Sequence, residues 1–169
     1  EHPERNVIRL ELGRNVVLKQ LRDDDRAELD AHLDIVDGHK GDYLLHQGIR
    51  EMQQYFILDG ILKRVVSTPA GKEMILRFAT ETEIDTSYAA WRLKKPIPYS
   101  IRAVTHARTA RLSMEEWVAF VERHPSVKSQ FDFEVMKLMS EVMAHTITLH
   151  LLDAPGRIAR FSFKSMTAS

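Results

Sequence analysis

Five side chains that could bind a small molecule surround a Pro-Ile-Pro segment in the second half of the chain. Three are cations, Arg92, Lys94 and Lys95, and two are aromatic, Trp91 and Tyr99. Guanidinium and ammonium groups bind anions, and aromatic rings stack on planar groups. The cluster therefore predicts contacts to an anionic or planar ligand, and a solvated surface loop is the alternative interpretation.

Histidines are the other candidates for chemistry. A cupin-like metalloenzyme needs two or three histidines and a carboxylate on adjacent strands, but only His46 and His106 fall in or directly beside predicted strands. His145 and His150 lie five residues apart on a predicted helix and so face different ways. One of them could be an axial haem ligand, and a histidine packed at an interface is the alternative. We expect no metal, no haem or other cofactor, and no enzymatic activity.

Composition narrows the class of protein. The chain has 169 residues, 44% of them hydrophobic and 28% charged, as in a globular domain with a substantial core. No run approaches the roughly 18 apolar residues of a membrane span, and the first residues lack a signal peptide's apolar core. The absence of cysteine excludes an iron–sulfur cluster held by thiolates. We expect a cytoplasmic protein without membrane contact.

The first forty residues are predicted to be helical. Residues 7–22 mix apolar and charged positions and indicate one or two short helices. An acidic turn at Asp23 begins another helix, because acidic side chains suit a helix N-terminus. Its inner face, spaced i, i+3, i+4 and i+7, would hold Leu29, a half-buried His32, Leu33 and Val36.

Short β-rich runs follow. The segment Thr68-Pro69-Ala70-Gly71 has the residues of a type I turn and predicts a hairpin. An early helix, many short strands and a late helix favour a mainly β fold with flanking helices, a double-stranded β-helix or jelly roll. The predicted strands are 43–46, 54–58, 61–66, 73–79, 99–104 and 107–112.

Two helices end the pattern. Ser113 and Glu116 form a capping box for a helix that ends before Pro125, and residues 126–152 contain neither glycine nor proline. The long helix carries two apolar stripes. The first has the alternating spacing of a coiled-coil seam and comprises Phe131, Val135, Leu138, Val142, His145, Leu149 and Leu152. The second comprises Phe133, Met136, Met139, Met143, Ile147 and Leu151.

Two apolar stripes on one helix predict two partners. One face would pack on the β-roll and the other on a second copy of the chain, which makes the protein a homodimer; a single wide core-facing stripe is the alternative. The expected dimer interface is Phe131, Val135, Leu138, Met139, Val142, His145 and Leu149.

The stretch Gly41–Gly60 has a strand, loop, strand and tight turn marked by three glycines, which predict a positive φ angle or a close approach by a neighbouring strand. It resembles the sensor domain of bacterial transcription regulators of the cyclic-AMP receptor and FNR type. The resemblance extends through residues 71–76 and 151–160. The residues that carry it are Gly41, Asp42, Leu44, Gln47, Gly48, Tyr55, Ile57 and Gly60.

The resemblance implies a nucleotide pocket built from three residue pairs. In nucleotide-binding members, a Gly-Glu pair holds the ribose, an Arg-Ser pair holds the phosphate and a Thr-Ser pair meets the purine. Proline has no N–H and isoleucine no charge, so we expect a degenerate pocket and an unknown effector. The positions of the three pairs are occupied here by Thr86-Ser87, Ile97-Pro98 and Val142-Met143.

The expected organisation has three parts. Residues 1–124 would form the sensor, residues 125–152 the dimerisation helix, and residues 153–169 a hinge beginning at Asp153-Ala154-Pro155-Gly156. The dozen residues beyond the hinge are too few for a DNA-binding domain, and Lys plus Arg equal Asp plus Glu at 24 each. DNA would then be contacted by a domain outside this chain. The alternatives are a regulator that binds cyclic nucleotide, a haem-dependent gas sensor, the cupin-like enzyme and a structural dimer without ligand.

Overall fold

The structure is a computed structural model that describes residues 3–152, the last four by their backbone alone. These residues form eight strands and five helices. The strands are β1 (Asp34–Gly38), β2 (Tyr43–Leu45), β3 (Gln53–Asp59), β4 (Ile61–Ser67), β5 (Glu73–Thr80), β6 (Ile84–Thr86), β7 (Ser100–Ala103) and β8 (Ala107–Ser113). The helices are α1 (Arg5–Gly13), α2 (Asp23–Asp30), α3 (Tyr88–Leu93), α4 (Met114–Glu122) and α5 (Pro125–Leu152).

The strands form two four-stranded antiparallel sheets. Their orders are β1-β8-β3-β6 and β2-β7-β4-β5, so sequence neighbours alternate between the two sheets, as in a jelly roll, except for β4 and β5, which pair within the second sheet. The six predicted strands correspond to β2, β3, β4, β5, β7 and β8. The predicted fold, a jelly roll with flanking helices and a long C-terminal helix, is confirmed.

Aromatic side chains join the first sheet to the helices. Trp117 of α4 is fully buried, and its ring centroid lies 5.1 Å from that of Phe56 in β3 and 5.3 Å from that of Phe131 in α5. Edge-on aromatic contacts of this kind add to the free energy gained from burial. The start of α5 is therefore held firmly on the roll.

The three glycines of the stretch Gly41–Gly60 all have a left-handed backbone, as predicted. Their φ angles are 89° at Gly41, 89° at Gly48 and 87° at Gly60. At Gly60 an added Cβ would also lie 2.2 Å from the carbonyl oxygen of His106, whereas at Gly48 it would meet nothing within 4 Å. Gly60 is thus fixed by both conformation and space.

Two local predictions are also confirmed. The Gly71 N–H donates to the Thr68 carbonyl over 2.9 Å and closes the hairpin between β4 and β5. The Ser113 Oγ accepts from the Glu116 N–H over 3.2 Å and caps α4.

The early helical predictions are partly wrong. Helix α2 ends at Asp30, and Val36 lies in β1, paired with Thr109 of β8. His32 follows the helix and is exposed, with Nδ1 3.6 Å from a Glu116 carboxylate oxygen. The helical spacing gave a wrong prediction because Ile35 and Val36 are β-branched residues that favour strands, and here they lie in the edge strand β1. Residues 14–22 contain turns and no helix.

The two stripes of α5 differ in burial. Phe131 and Leu138 are 1% and 3% exposed because they pack on the protein's own roll. These two side chains cannot form the dimer interface expected for them. The second stripe is solvent-exposed, by 54% at Phe133, 66% at Met136, 43% at Met139, 64% at Met143 and 51% at Ile147.

No helix in residues 3–152 combines the length and the apolar character needed to cross a bilayer. The hinge expected at residues 153–169 lies outside the described residues.

Candidate ligand-binding cavity

A cavity of about 480 Å³ lies between the second sheet, α3 and α5. Its wall is mostly aliphatic, with few charged or hydroxyl groups. A volume of this size suits a small organic ligand. The lining residues are Arg64, Val66, Leu76, Thr86, Ala89, Ala90, Leu93, Lys95, Pro96, Pro98, Tyr99, Val135, Leu138, Met139, Val142 and Thr146.

Helix α3 and the loop after it form one wall. The helix ends at Leu93. The next residue, Lys94, has a φ of 55° and turns the chain sharply, and the Lys95 N–H caps the helix by donating to the Ala90 carbonyl over 3.0 Å. The loop is then fixed to the roll by the fully buried Ile97, which exchanges backbone hydrogen bonds with Gly48 and Ile49. The wall is therefore anchored at both ends.

A buried arginine forms part of the floor. Arg64 is 4% exposed, and its Nη2 lies 2.5 Å from Oδ1 of Asp85 and 3.3 Å from the Thr86 carbonyl oxygen. Its guanidinium carbon lies 3.9 Å from the centre of the Tyr99 ring. Burial lowers the pKa of Arg64, but the charge of Asp85, its hydrogen bond to Arg64 and the nearby Tyr99 together outweigh burial, and the net shift is upward. The charge of Arg64 is thus neutralised within the fold.

Asp85 also binds a second arginine, which extends the contact to α5. Arg77 is 7% exposed, and its Nη1 lies 3.4 Å from Oδ2 of Asp85. Its Nη2 lies 3.6 Å from Glu83 and 3.8 Å from Glu141 of α5. A chain of charges therefore runs from the cavity floor at Arg64 to the middle of the long helix.

Tyr99 closes the floor as a neutral hydrogen-bond donor. Its hydroxyl donates to the Thr86 carbonyl over 2.5 Å. Burial raises the pKa of Tyr99 to about 12, against the opposing influence of Arg64. The phenol keeps its proton, and thus this hydrogen bond, throughout the neutral range.

The predicted site residues are only partly brought together. Thr86, Pro98, Tyr99 and Val142 line the cavity. Ser87 and Ile97 are buried but do not line it, and Met143 is 64% exposed.

The three cations of the predicted cluster lie together. Arg92, Lys94 and Lys95 line a surface depression with Trp91, and Lys95 also lies on the wall of the neighbouring cavity. His145 is half-buried on α5 and does not line the cavity. The side chains of Leu149 and His150 lie outside the described residues.

Sequence reasoning missed Arg64, Asp85 and Arg77. Strand alternation contained a signal for the first, because Arg64 follows Leu62 by two residues and must share its inward face. Nothing comparable indicated Asp85, whose strand β6 has only three residues.

Comparisons with known proteins place this geometry in a family. Residues 36–124 match the family described as the cyclic nucleotide-binding domain. The chain belongs to that family. The resemblance found in the stretch Gly41–Gly60 is therefore confirmed, and the domain extends from the first strand to the end of α4.

The relatives of described function are distant in sequence. The cAMP-activated global transcriptional regulator CRP of Salmonella typhimurium is 22% identical over 117 residues, which cover 69% of this chain and 56% of that protein. The chain thus spans about half the length of this relative.

Solved structures share the fold. The catabolite activator protein of Thermus thermophilus superposes with a TM-score of 0.63 at 16% identity, covering 82% of this chain and 63% of that one. A mutant of CooA from Carboxydothermus hydrogenoformans gives a TM-score of 0.69 at 14% identity, covering 87% and 93%.

Proposed function

We propose that this cyclic nucleotide-binding domain is the sensor and dimerisation portion of a cytoplasmic transcription regulator, and that its cavity is degenerate towards nucleotides and accepts an apolar effector. The role is binding rather than catalysis. DNA contact would come from a segment outside residues 3–152, as the similarity to a transcriptional regulator suggests. The observation that carries the proposal is the chemistry of the cavity wall.

The wall offers a nucleotide few polar contacts. Where the resemblance implies a ribose carboxylate, a phosphate-binding arginine and purine-binding hydroxyls, the cavity presents Thr86, Pro98 and Val142. Pro98 has no N–H to donate to a phosphate. Asp85 neutralises the charge of Arg64. The other cation on the wall is Lys95, which forms no ion pair with the described residues.

The same wall suits an apolar molecule with one acceptor group. The aliphatic side chains from α3 and α5 would bury its body, gaining roughly 25 cal/mol for each Å² removed from water. The Arg64 Nε is buried without a hydrogen-bond partner among the described residues, and Lys95 lies nearby on the wall. An oxygen of the ligand could accept from either group.

The binding test compares two probes on the purified chain. We expect 8-anilinonaphthalene-1-sulfonate, an apolar ring system with one sulfonate, to bind saturably with increased fluorescence. Calorimetry with cyclic AMP and cyclic GMP should show nothing tighter than about 10 μM, where the binding free energy is near −6.8 kcal/mol. Tight nucleotide binding would refute the degenerate pocket and favour an ordinary cyclic-nucleotide sensor.

A cavity-filling variant locates the probe. Ala89→Trp introduces an indole from α3 into the cavity and should abolish probe binding. Ala119→Trp adds the same side chain at an exposed position of α4 and should leave binding unchanged. Equal probe binding by both variants would mean that the probe sits elsewhere.

Dimerisation is proposed through the exposed stripe of α5. Five large apolar side chains on one helix face, more than two fifths exposed, are typical of a surface that a second chain covers. Met136→Glu with Met143→Glu should give monomers in sedimentation velocity at tens of micromolar. Leu10→Glu alters an equally exposed apolar residue, 64% exposed on α1, and should leave the dimer intact. A wild-type monomer under these conditions would refute the interface.

A further inference from the structure

Three potential metal ligands lie close together near the short link between α4 and α5. Asp25 and Glu28 project from α2, and His124 lies between the two later helices. Their ligand atoms all lie within 4.8 Å of one another. The His124 Nε2 is 3.4 Å from Oδ1 of Asp25 and 3.6 Å from Oε2 of Glu28. None of the three lines the ligand-binding cavity.

The orientation of His124 is fixed by its other ring atoms. The side chain is only 11% exposed, and its ring stacks on Phe120 with the centroids 4.2 Å apart. Its Nδ1 lies 3.4 Å from the Phe120 carbonyl oxygen, which can only accept, so Nδ1 carries the proton. In the neutral ring, Nε2 then directs a lone pair at two carboxylates. Metal-binding histidines are commonly held by a backbone carbonyl in this way.

The distances fit a shared metal better than a direct ion pair. Hydrogen bonds between charged groups are usually about 2.7–2.9 Å long, and these two separations are longer. A tetrahedral ion with bonds of about 2.0–2.2 Å separates its ligand atoms by roughly 3.3–3.5 Å. The two separations from His124 match this spacing, and the ligand atoms of Asp25 and Glu28 lie within 4.8 Å of each other.

Glu28 is also held in place. One of its oxygens pairs with the Arg123 guanidinium, which in turn donates to the Ala119 carbonyl over 3.1 Å. The other oxygen therefore faces His124. Asp25 and Glu28 are three residues apart on a helix and so point from the same face.

We propose that Asp25, Glu28 and His124 form a site for a divalent transition metal of the zinc class, which ties α2 to the start of α5. One imidazole and two carboxylates suit Zn²⁺, Co²⁺ or Mn²⁺, and three protein ligands leave a position for water. The site is independent of the proposed effector cavity.

The test uses the full chain after dialysis against a chelator. We expect Co²⁺ to bind at one site per chain with the intense visible absorption of tetrahedral coordination, and Zn²⁺ to displace it. At a concentration of about one hundred times its dissociation constant, Zn²⁺ should raise the midpoint of thermal unfolding by roughly 5–10 °C. His124→Gln should weaken Co²⁺ binding at least about tenfold.

Two further variants keep the result interpretable. Asp25→Asn preserves shape and should weaken Co²⁺ binding as well, which covers the case in which His124→Gln folds poorly. His32→Gln is the matched control, because His32 lies near Glu116 but not within the three-ligand group. Unchanged Co²⁺ binding in Asp25→Asn, or a wild-type midpoint that Zn²⁺ does not move, would overturn the proposal.

Discussion

Replacing Asp85 by Asn should destabilise the domain strongly. The substitution keeps the side-chain shape. It also keeps an oxygen that can accept from the Thr86 N–H, which lies 2.7 Å from Oδ1 of Asp85 in the wild type. It removes the negative charge that Arg64 and Arg77 share, and both arginines are less than 10% exposed. Removing one partner of a buried ion pair costs about 3–5 kcal/mol, because the remaining charge stays desolvated.

Urea unfolding followed by circular dichroism measures this loss. With a slope of about 2 kcal/mol per M, the midpoint should fall by roughly 1.5–2.5 M. Asp132→Asn is the matched control, since Asp132 pairs with Lys128 in an exposed contact on α5. Such a pair contributes only about 0.3–0.5 kcal/mol.

A double substitution separates charge from shape. Adding Arg64→Met to Asp85→Asn removes one of the two stranded charges, so the double variant should lose less stability than the two single losses summed. A loss below about 1 kcal/mol for Asp85→Asn alone, or strictly additive losses, would show that the buried charges are not coupled as the distances imply.

Three further outcomes follow from local geometry. Gly60→Ala should unfold at lower urea concentration than Gly48→Ala. Both variants place alanine in a left-handed conformation, which costs roughly 1–2 kcal/mol, but at Gly60 the new Cβ would also clash with the backbone of His106. Ser113→Ala should cost about 1 kcal/mol in the same assay by uncapping α4. Raising the pH from 10 to 12 should destabilise the wild type more than Tyr99→Phe, by about 2 kcal/mol, because the folded state holds the pKa of Tyr99 at about 12.

The sign of the pH effect follows from the raised pKa. The raised pKa of Tyr99 contributes stability that is fully present below pH 10, the ordinary pKa of tyrosine. This contribution is lost as the pH rises towards 12, the pKa in the folded state. Tyr55 has a pKa of about 12 for the same reason, burial, so some loss should remain in Tyr99→Phe. Equal pH profiles for the two proteins would contradict the assignment. Similar stabilities of the two glycine variants, or no change in Ser113→Ala, would contradict the other two.

Turn chemistry and strand patterning carried most of the fold prediction. Pro69 and Gly71 indicated a hairpin, and Ser113 indicated a helix start, because each residue acts on its own backbone. Strand β1 was missed because its apolar residues continued the helical spacing of α2, and only pairing with β8 decides between the two.

The site was harder to predict because its interactions are non-local. Asp85 and Arg64 are 21 residues apart in the sequence. Nothing in the residues around Asp85 indicates that its carboxylate is buried against this arginine. The stripes of α5 show the same limit. Both have helical spacing, so the sequence predicted two faces but could not tell which one the roll would cover.

Met139 gives the proposed sensor a thermodynamic consequence. It lines the cavity and is also 43% exposed on the stripe proposed for dimerisation, so one side chain would touch both the proposed ligand and the proposed partner. Any factor by which an effector tightens the dimer must equal the factor by which the dimer tightens effector binding. The apparent affinity for the effector will therefore depend on protein concentration, and titrations of dilute and concentrated samples should differ by that shared factor.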